Sequence, residues 1–344
     1  MNKKVAIIIV NWNGQKYLKD CLESVYKQTY TNFDVYFVDN GSKDDSVTFV
    51  EQNFPQAKII KLNKNTGFAY ANNIAINRSF EDKDISYVLT LNNDTKVDKD
   101  FLCNLVFCAN TDEHISSVAP KVRFFYEENL IDSIGVVISD DGGGMNRGFK
   151  EVDNGQYEEP TEVFGSCAGA SLYKREALID IKYKDEFFDN LFFAYYEDLD
   201  LDWRLRLRGW KTITCPSALV LHVHSATGIS FSPFKSYHVN RNRYFLIIKN
   251  FSLKYLIKAL FLTPFRYLKL INSMFFRKSG PSYKLKNNSG VFSPFFIVLK
   301  GFFSLFLNFP SLYFKRLYIQ KNKIDSSEDW FKKYKASVND MIYK

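Results

Sequence analysis

The sequence has few of the features that mark small secreted or metal-stapled proteins. Its 344 residues include only five cysteines, an odd number, and no two of them form a C-x-x-C pair. This argues against a disulfide framework and against a zinc site, and it suits a reducing compartment. About six apolar residues precede the first polar run, too few for a signal peptide. We therefore expect a cytosolic enzyme whose chain starts with a strand.

Acidic residues are scarce in one part of the chain. Residues 241–344 contain 20 Lys and Arg but only 4 Asp and Glu, a balance of +16, whereas residues 1–240 have 26 basic and 34 acidic residues, a balance of −8. We predict an acidic catalytic body over 1–240 and a basic helical tail over 241–344 that meets phosphate groups. Because the tail is mostly apolar between its lysines, lipid headgroups suit it better than nucleic acid.

Apolar runs and helical patterns alternate over the first 120 residues. The predicted strands and helices are Val5–Val10, Gln15–Thr29, Phe33–Asp39, Asp45–Asn53, Ala57–Leu62, Phe68–Ser79 and Tyr87–Leu91, in the order strand, helix, strand and so on. This alternation is typical of β-α-β units, so we predict an α/β fold with a mainly parallel sheet flanked by helices. Residues 124–160, rich in Gly, Asp, Asn and Glu, are predicted as strands joined by a long loop.

Polar residues follow the predicted strands. A dehydrogenase would carry G-x-G-x-x-G after its first strand, but this chain has Asn11-Trp12-Asn13-Gly14, which argues against a dinucleotide fold. Asp39 ends the second strand and Asn92-Asn93-Asp94 the fourth. Open α/β sheets bind ligands beyond the carboxyl ends of their strands, and carboxylates and amides suit a nucleobase, a ribose and a metal-bound diphosphate. For any single residue the alternative is a turn cap.

Four motifs in a fixed order resemble those of the family 2 glycosyltransferases of the GT-A fold, most of all the rhamnosyltransferase-like branch of bacterial surface-polysaccharide synthesis. They are Val10-Asn11-Trp12-Asn13, Val38–Asp44, Asn65-Thr66-Gly67-Phe68-Ala69 and Leu91-Asn92-Asn93-Asp94. The resemblance covers roughly residues 4–250. It implies a Rossmann-like catalytic domain over 1–240, with a nucleotide-binding half over about 1–120 and an acceptor half over about 121–240.

The resemblance also implies a reaction. The enzyme would be an inverting, metal-dependent glycosyltransferase that moves a sugar, rhamnose being one candidate, from a dTDP- or UDP-linked donor to a saccharide acceptor that is lipid-linked. The sequence leaves open a nucleotidyltransferase and a homologue that has lost activity. Against the first stands the absence of a Gly-rich loop with Arg or Lys after strand one.

Site residues follow from the resemblance position by position. Asp39 is similar to the carboxylate that hydrogen-bonds the pyrimidine base, and Val10 and Asn11 would contact the nucleotide beside it. The other positions implied in donor binding are Asn13, Asn40, Asn65, Gly67, Phe68, Asn93, Gly169 and Glu197. Gly67 opens a helix, where a small residue lets backbone approach a phosphate or ribose.

Asn93-Asp94 occupies the place of the family's D-x-D metal motif, but Asn92 replaces the first acid. Asp94 would then be the one anionic ligand for Mg²⁺ or Mn²⁺, which a single carboxylate plus substrate phosphates can hold. The resemblance implies His222, with His224 as the alternate, as a further ligand or a diphosphate contact ahead of Ser225-Ala226-Thr227. A histidine with a purely structural role is the alternative.

Glu197-Asp198 resembles the family's E-D motif, in which the second acid, here Asp198, is the catalytic base. The acid-to-base order over residues 197–208 predicts a helix with Asp200–Arg204 and Asp202–Arg206 pairs, although its leucines alternate with the period of a strand. A solvated helix start is the alternative for these acids. Arg241-Asn242-Arg243 resembles a basic element that serves diphosphate or lipid phosphate, or else forms a solvated helix face.

Apolar and aromatic runs broken by lysines fill residues 245–314. The run 295–314 approaches the length of a membrane span, but it contains Lys300, Gly301 and Pro310, so interfacial helices explain the pattern better. We therefore predict a peripheral protein on the cytoplasmic side of the cell membrane. The alternative is a homodimer surface built from the same aromatic residues.

Overall fold

Strands and helices alternate over residues 4–92 as predicted, in a computed structural model that describes residues 3–224, 232–277, 280–325 and 328–338. The strands of these residues are β1 (Lys4–Asn11), β2 (Phe33–Asp39), β3 (Lys58–Lys61), β4 (Ile85–Asn92), β5 (Thr95–Val97), β6 (Ile115–Phe124), β7 (Ile131–Ser133), β8 (Val136–Ser139), β9 (Gly144–Asn146), β10 (Glu162–Val163), β11 (Ala170–Lys174), β12 (Lys211–His222) and β13 (Lys335–Ala336). The α-helices are α1 (Gln15–Tyr26), α2 (Ser46–Asn53), α3 (Phe68–Ser79), α4 (Phe101–Ala109), α5 (Arg175–Asp180), α6 (Glu197–Leu207), α7 (Pro233–Asn250), α8 (Leu253–Asn272), α9 (Gly280–Ser289), α10 (Ser293–Asn322) and α11 (Asp329–Tyr334).

One large sheet combines a parallel half with a mixed half. Its order is β10-β12-β6-β11-β4-β1-β2-β3, and β5 and β7 are short partners of β12 and β6. From β4 to β3 all neighbours are parallel, whereas β11 is antiparallel to both β4 and β6. The sheet is thus mostly parallel, and the predicted α/β class is confirmed. A small second sheet has the order β13-β8-β9.

Helices cover both faces of the large sheet. Ile7 of β1 packs in the core with Leu22 of α1, whereas its neighbour Ile8 packs on the opposite face with Ala71 of α3. Successive side chains of a strand point to opposite faces, so both must be apolar when both faces are covered. This explains the continuous apolar run of the first strand.

The segment with two competing periodicities is a helix, α6, as predicted. Leu201 and Leu205 pack against the core under the sheet, while Leu199, Trp203 and Leu207 pack into a third core formed with the tail helices. A helix buried on two sides needs apolar residues on both faces, and this requirement produces the strand-like alternation of its leucines.

The change in composition near residue 241 does not coincide with a structural break. Helix α7 runs from Pro233 to Asn250 and crosses the predicted boundary between residues 240 and 241. Its residues Phe245 and Leu246 are fully buried in the third core, beside Trp203 of α6 and Leu312 of α10. The tail helices therefore pack directly against the helix that carries the Glu197-Asp198 motif.

Candidate active site

The polar ends of the parallel strands lie side by side at one edge of the sheet. Asn11 at the end of β1 is paired with Asp39 at the end of β2, and Val10 is paired with Asn92 at the end of β4. The backbone N–H of Asn40 donates to the carbonyl of Asn11 at 2.8 Å. Parallel strands bring their carboxyl ends to the same edge, so the spacing in the sequence already placed these residues together.

Asn13 and Ser42 join the loops that follow β1 and β2. The Ser42 hydroxyl accepts from the backbone N–H of Asn13 at 3.0 Å and from the side chain of Asn11 at 3.1 Å. Asn13, in a left-handed conformation with φ of 51°, accepts from the backbone N–H of Lys43 at 2.7 Å. Asp39 accepts from the backbone N–H of Ser42 at 3.2 Å. These bonds hold both loops beside the Asp39 carboxylate.

Hydrogen bonds of Asn40 join the loop after β2 to the loop before α3, which contains Asn65 and Gly67. The side chain of Asn40 donates to Asn65 Oδ1 at 3.2 Å and to the Gly67 carbonyl at 3.3 Å. Gly67 has φ of +84°, and a Cβ there would lie 2.5 Å from the Phe193 carbonyl oxygen, so only glycine fits. Two other predicted donor contacts, Val10 and Phe68, are half-buried and pack against the core.

Asn92 and Asn93 of the predicted metal motif form hydrogen bonds to several neighbouring elements. Asn93 donates to Asn11 Oδ1 at 2.6 Å. The backbone N–H of Asn92 donates to the Gly169 carbonyl at 2.7 Å, which links the motif to the small-residue segment before β11. The side-chain nitrogen of Asn92 lies 3.4 Å from Nε2 of His222. The predicted donor residues Asn93 and Gly169 thus lie at the same edge as Asn11.

Asp94 and His222, the predicted metal residues, are neighbours. Nε2 of His222 lies 3.3 Å from Oδ1 of Asp94, and Nδ1 of His222 lies 2.7 Å from Oδ2 of Asp132. Nδ1 of His224 lies 3.2 Å from the other Asp132 oxygen. Ligand atoms of Asp132, His222 and His224 all lie within 4.8 Å of one another, so this group can hold a metal ion.

The donor set fits a divalent cation. Two adjacent ligands of an octahedral ion at distances of about 2.1 Å stand about 3 Å apart, close to the separation of Asp94 Oδ1 and His222 Nε2. Asp132 bonds the other ring nitrogen of His222, the usual arrangement that orients a metal-binding imidazole. In the absence of an ion, burial lowers the pKa of His222, but hydrogen bonds to Asp132 and Asp94 outweigh burial and raise it to about 10.

Sequence reasoning missed Asp132. It lies in β7, inside the segment predicted as strands joined by a long loop, and its side chain is buried. Ninety positions separate it from His222, so no local pattern could pair them. Ser225-Ala226-Thr227, the residues that follow the histidines, lie outside the described residues.

Asp198 lies at the first turn of α6, where backbone N–H groups are unpaired by the helix. Its Oδ1 accepts from the backbone N–H of Leu199 at 2.8 Å, and its Oδ2 from that of Ala168 at 3.4 Å. Ala168 precedes Gly169, which is bonded to Asn92. The predicted base Asp198 is therefore connected to Asn92 of the predicted metal motif through the backbone of Ala168 and Gly169 and one hydrogen bond at each end.

Burial affects the two acids of the motif to different degrees. Glu197 is buried and its Oε2 has no hydrogen-bond partner among the described residues, so burial and the adjacent Asp198 charge raise its pKa well above the usual value. Burial also raises the pKa of Asp198, but the N–H groups of Leu199 and Ala168 oppose this. Burial thus raises the pKa values of both acids, while these two N–H groups stabilise the ionised form of Asp198, the form in which a base acts.

Two expectations from the sequence differ in the structure, the Asp202–Arg206 pair and the basic element Arg241-Asn242-Arg243. Arg206 pairs with Glu162 at 2.6 Å instead of with Asp202, which is buried and accepts from the Ser166 backbone at 2.9 Å. Arg241 and Asn242 bond backbone carbonyls of residues 191–195, and Arg243 is buried against the Asp141 carbonyl. Arg241 and Asn242 thus hold the loop before α6, because buried carbonyls need donors.

Lys235, near the start of α7, is a second residue that sequence reasoning missed. Its Nζ lies 5.3 Å from the centre of the Tyr195 ring. Burial lowers its pKa, and the charge of Asp132 opposes this. Asp132 pairs with His222 and His224, which leaves Lys235 without a carboxylate of its own among the described residues.

Comparisons with known proteins were made for the sequence and for the fold. A family model described as Glycosyl transferase family 2 matches residues 6–182, just over half of the chain. The N-acetylglucosaminyl-diphospho-decaprenol L-rhamnosyltransferase of Mycobacterium tuberculosis is 24% identical over 254 residues, which are 68% of this chain and 80% of that protein. Three other curated relatives are 30–36% identical over short stretches, and the chain spans only 13%, 26% and 11% of their lengths.

Two solved structures are similar in fold. The crystal structure of S. aureus TarS 1–349 has a TM-score of 0.52 and 16% identity, covering 93% of this chain and 88% of that one. The crystal structure of GalNAc-T7 with UDP, GalNAc and Mn²⁺ has a TM-score of 0.55 and 16% identity, covering 69% and 47%. Similarity at this identity concerns the fold alone, and it agrees with the sheet described above.

Proposed function

Because the chain belongs to glycosyl transferase family 2, we propose that it is an inverting glycosyltransferase of cell-surface polysaccharide synthesis, which moves a sugar from a nucleotide diphosphate to a saccharide acceptor. The observation that carries this proposal is the convergence of Asp39, Asp94, His222 and Asp198 around one edge of the sheet.

In the proposed reaction Asp198 takes the proton of an acceptor hydroxyl. The hydroxyl oxygen forms a bond to the anomeric carbon while the bond from that carbon to the phosphate oxygen breaks, and the nucleotide diphosphate leaves with the bonding electrons. Lys235 pairs with no carboxylate of the described residues, and we assign it to the charge that develops on the leaving diphosphate. Asp39, Asn11 and the Asn40–Asn65 loops would hold the base and ribose.

Asp94 and His222 would hold a divalent cation, with Asp132 orienting His222 and His224 beside it. The chemistry that Mg²⁺ or Mn²⁺ supplies there is neutralisation of the diphosphate charge. The similarity to the rhamnosyltransferase supports dTDP-rhamnose as the first donor to test and a lipid-linked saccharide as acceptor. UDP-sugars are the second choice.

The experiment that tests this function is a screen of the purified full chain against dTDP- and UDP-sugars. With Mg²⁺ or Mn²⁺ present, at least one nucleotide sugar should raise the melting temperature and be hydrolysed slowly without acceptor. The same sugar should be transferred to a lipid-linked saccharide with inversion at the anomeric carbon. Absence of binding and hydrolysis with every nucleotide sugar would contradict the proposal.

The pH dependence of transfer should report Asp198. Because burial raises the pKa of this carboxyl, the acid side of the kcat/KM profile is expected to fall at a pH clearly above the usual aspartate value of about 3.9. Activity should increase as the pH rises through the raised pKa of Asp198, since the base acts in its ionised form. A profile of kcat/KM from pH 4 to 9 checks this, and a rate that stays flat down to pH 4 would contradict it.

We also propose that the protein binds the cytoplasmic side of the membrane through α8 and α10. Their solvent-facing sides are apolar, and α8 exposes residues at helical spacing: Leu253, Ile257, Leu260, Phe261, Phe265, Leu268 and Ile271. The exposed large apolar residues in the first twenty-two positions of α10 are Phe295, Phe296, Leu299, Phe302, Phe303, Phe306, Leu307, Phe309, Tyr313 and Phe314. Exposed patches of this extent mark interaction surfaces.

The helices that carry these apolar faces have basic but no acidic residues of their own, although Lys258 and Arg266 of α8 pair with Asp140 and Asp141 at 2.9 Å. The sequence has no Asp or Glu from residue 203 to residue 324, whereas residues 233–324 contain 17 Lys and Arg. Each basic residue near an anionic leaflet adds about 1 kcal/mol of binding. Surfaces of this kind, apolar on one side and basic at the edge, suit helices that lie in the membrane interface.

One helix of the described residues, α10, is long and apolar enough to cross a membrane, with a mean hydropathy of 1.6. Its other side, however, packs along α7: Ile297, Gly301 and Leu312 are buried, and the ring of Phe302 lies 5.2 Å from that of Tyr244. A helix that is bound along one side to a folded domain is not surrounded by lipid. This supports peripheral binding in preference to a span.

Vesicle flotation tests this surface. The full chain should float with vesicles containing anionic phosphatidylglycerol at low salt, and a Phe261→Glu, Phe303→Glu variant should lose at least 10-fold in binding because two charges enter the apolar face. Phe107→Glu, at an exposed Phe of α4, is the matched control and should float as the unchanged protein does. A protein that stays in solution as a dimer would instead support the homodimer.

A further inference from the structure

A second group of charges lies buried between α6, α7 and α10, away from the strand ends. Nζ of Lys249 in α7 pairs with Asp189 and, at 2.6 Å, with Asp200 of α6. Nζ of Lys315 in α10 pairs with Asp189 at 2.6 Å and with Glu186 at 2.6 Å. The side chains of Lys249 and Asp200 are 1% and 0% exposed.

The group is balanced in charge and has no room for a ligand. Arg204, paired with Asp200 at 3.0 Å, is the third cation and matches the three carboxylates of Asp189, Asp200 and Glu186. The cavity that these residues line measures about 20 Å³, enough for a single water molecule. Buried ion pairs contribute little net stability because desolvation offsets their attraction. A role in fixing one geometry explains the group better than binding or stability does.

The group holds the start of a segment with unusual backbone geometry. The carboxylate of Asp189 accepts from the backbone N–H of Leu191 at 2.9 Å and begins a 3₁₀ turn. Phe193, Tyr195 and Tyr196 then have φ of 65°, 68° and 71°. Residues with a Cβ disfavour this left-handed region, so three of them in four positions require support from their surroundings.

The support comes from the tail. The Asn242 side chain donates to the carbonyls of Phe192, Ala194 and Tyr195 at 2.9, 2.9 and 2.6 Å. At the start of the segment Lys249 and Lys315 hold Asp189. At its end the chain enters α6 at Glu197 and Asp198. In the middle, the Phe193 carbonyl accepts from the backbone N–H of Ala69, next to the Gly67 loop.

We propose that Lys315 and Lys249 are positioning residues, which fix residues 189–196 so that Asp198 faces the acceptor hydroxyl. The tail helix α10, which composition alone assigns to membrane binding, would thus also be part of the catalytic apparatus. This inference rests on the proposed transfer reaction. It predicts that a substitution at either lysine lowers kcat and leaves donor binding unchanged, because neither lysine lies at the strand ends.

The experiment compares Lys315→Met with Lys315→Arg and with Lys321→Met, which changes an exposed lysine of the same helix. Lys315→Met leaves Asp189 paired with Lys249, so the variant is expected to fold. Its kcat for sugar transfer should fall 10- to 100-fold while the Kd of the nucleotide diphosphate stays within 2-fold. Lys315→Arg should recover most of the kcat, and Lys321→Met should match the unchanged protein.

Two further measurements separate this inference from the function on which it rests. Hydrogen exchange of the backbone amides of residues 189–196 should become faster in Lys315→Met and stay unchanged in Lys321→Met, whether or not a substrate is known. An unchanged kcat in folded Lys315→Met, or loss of donor binding in parallel with kcat, would overturn the positioning role. Absence of turnover in the unsubstituted protein with every nucleotide sugar would overturn the proposed function instead, leaving the exchange result to be judged alone.

Discussion

Replacing Asp198 by Asn is expected to lower kcat for sugar transfer by at least about 10²-fold, up to about 10⁴-fold, the contribution of a well-placed general base. The amide is nearly isosteric and can still accept from the backbone N–H of Leu199, so the start of α6 should keep its geometry. It cannot take a proton from the acceptor hydroxyl. The Kd of the nucleotide diphosphate should therefore remain within 2-fold, and the change should appear in turnover.

Single-turnover rates with a matched control test this result. Asp185→Asn alters a carboxylate whose side chain is 94% exposed, and it should leave kcat unchanged. The acid limb of the pH profile should also disappear with Asp198→Asn, since the group that titrates is gone. A variant with near-normal kcat would remove Asp198 from the mechanism and direct attention to Glu197, its buried neighbour.

Local periodicity was sufficient for the seven elements from β1 to β4, which end at Asn92. The bounds of β2 and α3 match the prediction, because a buried strand between two turns and a helix after a glycine both leave short-range signals. The strand ends at Asn11, Asp39 and Asn92 came together for a topological reason that applies to any parallel sheet. Their grouping could therefore be inferred without knowledge of a single long-range contact.

Long-range pairs could not be inferred in this way. The i,i+4 rule correctly paired Asp200 with Arg204, but it failed for Asp202 because Arg206 reaches Glu162 of β10 across 44 positions. Asp132 reaches His222 from β7, a strand that the prediction did not resolve from the surrounding loop. Helical spacing describes neighbours on an isolated helix, whereas a helix buried on two sides takes its partners from the elements that cover it.

The structure offers a physical reason why Asn92 stands in the place of the first acid of the D-x-D motif. The side-chain nitrogen of Asn92 lies 3.4 Å from Nε2 of His222. The backbone N–H of the same residue donates to the carbonyl of Gly169. An acid at this position would add a third carboxylate around His222, beside Asp94 and Asp132. Like charges at such short range disfavour one another. In the proposed site Asp132 is the second acidic group, and it reaches His222 from a different strand.

Asp94→Ala is accordingly expected to reduce the affinity for Mn²⁺ at least 10-fold, and with it the metal-dependent binding of the nucleotide diphosphate. The variant removes the carboxylate 3.3 Å from Nε2 of His222, while Asp132 continues to hold Nδ1. Titration calorimetry with Mn²⁺ alone measures the ion directly, without relying on turnover. Asp84→Ala, at an exposed aspartate, is the control. Full activity of the unsubstituted protein in excess chelator would contradict a metal requirement, and the leaving diphosphate would then depend on Lys235 and a protonated His222.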